Sequence, residues 1–84
     1  MTNCKKGEAV LFIEDYDLFD TEVNGCEAMF YKYSTIDGKC LVYVPLVEEW
    51  AEPKISILKQ KKPGHVPRKY ANLCKRIKLM EITC

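Results

Sequence analysis

Five of the nine residues in the stretch EDYDLFDTE, Glu14 to Glu22, are acids, with Tyr16 and Phe19 set between them. Clustered carboxylates are hard oxygen ligands, so calcium binding is the first chemistry they suggest. Asp15, Asp17 and Asp20 supply D-x-D-x-x-D. The helix-loop-helix calcium motif also needs an acid or Asn at position five, Gly at six and Glu at twelve. Counted from Asp15, those positions hold Phe19, Asp20 and Cys26, so all three requirements fail. The spacing predicts no metal site. What remains is a solvated loop or a docking surface.

Thiol chemistry comes next. Cysteines stand at positions 4, 26, 40, 74 and 84, and no two are within four residues of each other. The odd count argues against a disulfide framework. A structural zinc site needs close ligand pairs, and His65 is the only histidine. Reduced, mostly buried thiols are expected, because a free cysteine packs as a small hydrophobe. A catalytic cysteine needs an activating base, and no cysteine here sits in a helix-terminus or glycine-elbow context. The glycines at 7, 25, 38 and 64 are isolated, so a phosphate-cradling loop is absent. Paired-carboxylate hydrolysis needs acids facing each other across a cleft, whereas these acids cluster in sequence. A non-enzymatic protein without a cofactor is expected.

Charge is the feature that stands out. Residues 1–52 carry four lysines against eleven acids, and residues 53–84 carry nine Lys/Arg against the single acid Glu81. The chain as a whole is +1. Such asymmetry means either neutralisation within the fold or an interaction surface of one sign. The acid-free span from Pro53 to Met80 holds Lys59, Lys61, Lys62, Arg68, Lys69, Lys75 and Arg76. Basic residues gathered this way are the electrostatic footprint of nucleic-acid binding.

The elements that position these groups read as one domain over residues 1–84. The run Ala9–Ile13 predicts a buried first strand. It is also too short for the apolar core of a signal peptide, and no run of about 18 apolar residues exists to span a membrane. A cytoplasmic setting is expected. Glu14–Gly25 reads as a long loop closed by the Asn24-Gly25 turn signal. Asp37-Gly38 predicts a two-residue hairpin turn. Ile36 would then face Lys39, with Tyr33 opposite Val42 and Tyr31 opposite Val44. Met29, Tyr31 and Tyr33 would share a face with those valines, and Phe30, Lys32 and Ser34 would share the other with Leu41 and Tyr43. Both faces are apolar, which predicts a curled sheet or small barrel.

Val47–Pro53 reads as a connector or short helical turn, and Lys54–Gln60 as a strand with Ile55 and Ile57 alternating against Ser56. Lys61–Pro67 is a loop, because Pro63, Gly64 and Pro67 disfavour regular structure. Tyr70, Leu73, Cys74 and Ile77 follow a helical period, predicting a short helix over 68–76. The alternation after it predicts a terminal strand over 77–82, with one continuous helix to Met80 as the alternative. The fold class is mainly β (α+β): a five-stranded, barrel-like or strongly curled antiparallel sheet with one short helix in the C-terminal half. In strand count, strand length and the long loop after strand one, the segments GEAVLFIE and GKCLVYVP make the chain resemble the small β-barrels of the Tudor and KOW kind. The aromatic-cage and peptide-groove motifs of those families have no counterpart here, so no functional residue is carried over.

The expected function is docking on a macromolecular partner, foremost a protein, as an inhibitor or adaptor of viral or mobile-element type. Asp15, Tyr16, Asp17, Phe19 and Asp20 are the candidate contacts. Tyrosine and phenylalanine serve as contact anchors, and acids steer approach to a basic surface. The alternatives are nucleic-acid binding through the basic residues named above, and a nucleotide-like ligand stacked on tyrosines at an oligomer interface. Whether Tyr16 and Phe19 point inward or outward discriminates a plain loop from a docking loop.

Overall fold

The computed structural model describes residues 4–83, with side chains described as far as Ile77. Cys84 lies outside the described residues. The described residues form seven strands: β1 (Ala9–Phe12), β2 (Asp17–Leu18), β3 (Thr21–Glu22), β4 (Glu27–Tyr33), β5 (Cys40–Val44), β6 (Glu49–Ala51) and β7 (Leu58–Gln60). A 3-10 turn, Ile55–Ile57, precedes β7, and one helix, α1 (Arg68–Thr83), follows it. Five strands form an antiparallel sheet in the order β6-β5-β4-β1-β7, and β2 and β3 form a separate ladder. No ladder joins β6 to β7 among the described residues, so the sheet is open and does not close into a barrel. The protein is mainly β with one helix, as its pattern predicts. No described helix is long and apolar enough to cross a membrane.

Each face of the sheet has its own core. On one side Val10, Phe12, Ala28, Phe30, Cys40, Val42 and Val44 pack together, covered by Tyr16, Leu18 and Val23 of the acidic loop and by Ile55 and Ile57. On the other, Ala9, Met29 and Tyr31 pack with Leu41 and Tyr43 beneath Tyr70, Leu73, Cys74 and Ile77 of α1. That helix face is the one its period predicts. Burying a ring such as Phe12 or Phe30 contributes about 1.5–3 kcal/mol, so both layers matter to a chain this short.

The hairpin register differs from expectation. Tyr33 stands opposite Cys40, Lys32 opposite Leu41 and Phe30 opposite Val42, with a bulge at Tyr31. The connection is six residues long rather than two: Ser34 N–H donates to the Lys39 carbonyl at 3.1 Å and Lys39 N–H to the Ile36 carbonyl at 3.2 Å. A two-residue type I′ turn needs positive φ at both central residues; Gly38 has it and Asp37 does not. The slip exchanges the faces, since side chains alternate along a strand. Phe30 therefore joins Val42 and Val44, while Met29 and Tyr31 join Leu41 and Tyr43 under the helix. Beyond the bulge, Tyr33 turns back to meet Phe30 edge-on at 4.9 Å.

Two further expectations are corrected. The strand after Pro45 is Glu49–Ala51 within the supposed connector, held by its ladder to β5, and Ile55–Ile57 is a 3-10 turn. No terminal strand forms: α1 runs on through Thr83. Nothing between Arg68 and Thr83 breaks a helix, and Leu, Lys, Met and Glu all sustain one.

Gly7 joins the N-terminal segment to the loop before α1. Its φ is 95°, its N–H donates to the Phe30 carbonyl at 2.7 Å, and a Cβ there would lie 2.8 Å from Val66 Cγ1. Gly7→Ala is expected to cost about 1–3 kcal/mol through overpacking and the left-handed backbone. A lowered urea midpoint with unchanged slope would register it.

Candidate functional site

The acidic segment is a small hairpin. β2 pairs with β3 so that Asp17 faces Glu22 and Leu18 faces Thr21. The turn between them is Phe19–Asp20, with φ of 50° and 62°. Positive φ at both central residues is the I′ pattern, so the tight turn expected at Asp37-Gly38 occurs here instead, without glycine. Glu22 ties the hairpin down. Its Oε1 accepts from the Tyr16 amide at 3.0 Å and from the Asn24 amide at 2.9 Å. Those backbone donors hold the Glu22 carboxyl below its ordinary range, while a hydrogen bond with Glu22 and its charge push Asp17 up. Asp15 accepts from Asn24 Nδ2 at 3.1 Å.

The two rings part company. Tyr16 is half-buried and stacks on Phe12, centroids 5.5 Å apart and planes 19° apart, so it anchors the hairpin to the core. Phe19 is 71% exposed at the tip, flanked by exposed Asp17 and Asp20. The predicted cluster is thus divided. Asp15 and Tyr16 hold the loop in place, and Asp17, Phe19 and Asp20 are presented to solvent. Among the described residues, no group of three or more His, Cys, Asp or Glu side chains is arranged to hold a metal ion.

The basic residues lie on the helix side of the sheet and do not form a single patch. Glu27, at the start of β4, gathers two of them: Lys61 Nζ lies 3.1 Å from its Oε1 and Lys69 Nζ 2.9 Å from its Oε2. The Tyr70 hydroxyl donates to the same Oε2. Burial alone would raise this carboxyl, but the Tyr70 hydroxyl and the two ammonium groups outweigh it and bring it down to about 2. The Tyr70 phenol is pushed up, by burial and then by Glu27. Two clefts open on either side of Glu27 and Lys69. One, of about 220 Å³, is lined by Lys61, Lys62, His65 and Pro67. The other, of about 300 Å³, is lined by Tyr43, Pro45, Tyr70, Leu73 and Arg76. Lys59 stands on β7 opposite Leu11, and Arg68 and Lys75 are exposed on α1 one helical stripe away from Lys69 and Arg76.

The sequence pattern missed two acids with organising roles, Glu27 and Glu8. Glu8 is fully buried, and its carboxylate accepts from the Lys5 amide, from Gln60 Nε2 at 3.0 Å and from the Gly64 amide at 3.2 Å. Burial would raise its pKa, but these donors bring it below the ordinary value. Glu8 thereby pins the loop that carries Lys61, Lys62 and His65. The available signal was an acid directly abutting an apolar strand, as in GEAVLF and CEAMFY, since such a carboxylate is buried only with partners.

The described cysteines are free thiols. Burial pushes Cys4 up to about 12, with help from the Glu8 charge, and Cys40 up to about 11. Cys74, also raised by burial, places its Sγ 3.7 Å from Met29 Sδ. Thiols shifted upward in this way are unreactive at neutral pH. In comparisons of the chain, no protein-family model, no curated protein and no solved structure matches it.

Proposed function

We propose that the protein acts by docking on a basic protein surface through the tip of its acidic hairpin, as an inhibitor or adaptor. The observation that supports this is Phe19, which is 71% exposed while held at a φ of 50°. A bulky residue in the left-handed region costs about 1–3 kcal/mol, and here the ring buries little apolar area in return. Glycine would suit the position better for stability alone. An exposed ring between carboxylates suits a contact anchor, with Asp17 and Asp20 steering approach to cations. Four free thiols accord with a reducing, cytoplasmic setting.

Two variants test the proposal. Phe19→Gly is expected to raise stability by about 1 kcal/mol, read as a melting point several degrees higher, and to lose the partner. The double variant Asp17→Lys with Asp20→Lys is expected to keep the fold and slow association. A photo-cross-linking residue at position 19 identifies the protein bound. Undiminished capture by both variants would reject the hairpin as the docking element.

A further inference from the structure

The two clefts adjoin each other, because Glu27 and Lys69 line both. Their linings differ in chemistry. The first is cationic, with Lys61, Lys62 and Lys69 around it and His65 at its rim. The second offers the Tyr43 ring, Pro45 and Leu73, with Arg76 at its edge. Tyr43 belongs to a larger aromatic group: Trp50 of β6 meets it edge-on at 5.3 Å and meets Tyr31 at the same distance. Trp50 is itself 37% exposed. The face therefore runs from an aromatic shelf at the β6 edge to a lysine cluster at the β7 end.

We propose that this face binds single-stranded nucleic acid, with backbone phosphate in the lysine cleft and a base against Tyr43 in the neighbouring one. The proposal is independent of hairpin docking, which uses the opposite side of the sheet. A cationic groove with aromatic rings beside it is the chemistry that holds single strands: cations track the backbone, and exposed bases stack on rings. A duplex keeps its bases stacked on each other and leaves the aromatic shelf unused.

Glu27 opposes phosphate, but its charge is already taken up by Lys61, Lys69 and the Tyr70 hydroxyl. Lys62 and Arg76 form no ion pair among the described residues and remain to meet an anion. The acids of the Glu14–Glu22 segment sit over the other core and do not line either cleft.

The test is fluorescence anisotropy with the full chain at about 50 mM salt, where phosphate neutralisation is strongest. The probes are a labelled mixed-sequence single strand of about 15 nucleotides, as DNA and as RNA, and the matched duplex. Saturable binding that favours the single strand and quenches Trp50 is expected. Lys62→Glu with Arg76→Glu changes two exposed residues and leaves the Glu27 pairs intact. It should weaken binding at least tenfold and reduce the log–log salt slope by about 1.4. Tyr43→Leu keeps an apolar side chain and should weaken binding about 5- to 150-fold with the salt slope unchanged. No binding at low salt, equal affinity for duplex, or full affinity in the charge-reversed variant would overturn the proposal. Saturation by adenosine monophosphate as tight as that by the strand would overturn it in favour of a mononucleotide pocket.

Discussion

Replacing Glu8 by alanine is expected to lower the unfolding free energy by about 3–4 kcal/mol. The carboxylate is fully buried and answers three donors, from Lys5, Gln60 and Gly64. Two of those donors are backbone amides that no other group in the site satisfies. Hydrogen bonds to a charged acceptor contribute about 1.5–3 kcal/mol each, and water offsets part of that at the exposed Lys5 and Gly64. Glu8→Gln keeps one acceptor oxygen and should lose about half as much. Urea titration reads the stability, and amide exchange at Gly64 reads the local effect, because the loop from Lys61 to Pro67 loses its tether. The same substitution should weaken any ligand held by Lys61 and Lys62 without removing a cation. A shift below about 1 kcal/mol would mean that this loop is held by other contacts.

Acid should unfold the protein through Glu27 and Glu8 together. The Glu27 carboxyl lies at about 2 in the fold, against an ordinary 4.5. Its contribution is complete above pH 4.5 and is lost as pH falls from there toward 2, because the unfolded chain takes up the proton first. A shift of that size corresponds to about 3 kcal/mol. Glu8 is lowered as well, so its loss falls on the same side of 4.5. Tyr70 acts at the alkaline end. Its pKa is raised above the ordinary 10.0, so its contribution is present below that value and is lost as pH rises past it. Urea midpoints measured between pH 6 and 2.5 should therefore fall steeply below 4.5. Glu27→Gln should be less stable at neutral pH and show a flatter acid limb. A limb as steep in the variant as in the wild type would remove Glu27 from the account.

Much of the backbone was legible locally. Ala9–Phe12, the strands flanking Asp37-Gly38, the loop at Lys61–Pro67 and the stripe Tyr70–Leu73–Cys74–Ile77 all carry their period or breaker signal within a few residues. Register was not legible. With apolar groups on both faces, Tyr31 opposite Val44 and Phe30 opposite Val42 satisfy alternation equally well, and only the six-residue connection and the bulge choose between them. Glu49–Ala51 carries no pattern of its own and becomes a strand because β5 offers it an edge. The helix end is ambiguous in sequence because Ile77 fits an alternating pattern as well as a helical one.

The candidate site divides the same way. Residue order alone determined that acids gather in Glu14–Glu22 and bases in the last third, because charge composition needs no fold to be read. It also placed Tyr16 and Phe19 among the acids. Tertiary structure decided that Tyr16 stacks inward on Phe12 while Phe19 stands out at the tip, since Phe19 lies in the positive-φ turn and Tyr16 precedes the hairpin. It likewise decided that Lys61, Lys69 and Tyr70 converge on Glu27 from 34, 42 and 43 residues away. Helical and strand periods arise from backbone geometry over one or two turns. The partners of a buried carboxylate are set by how the whole chain closes around it.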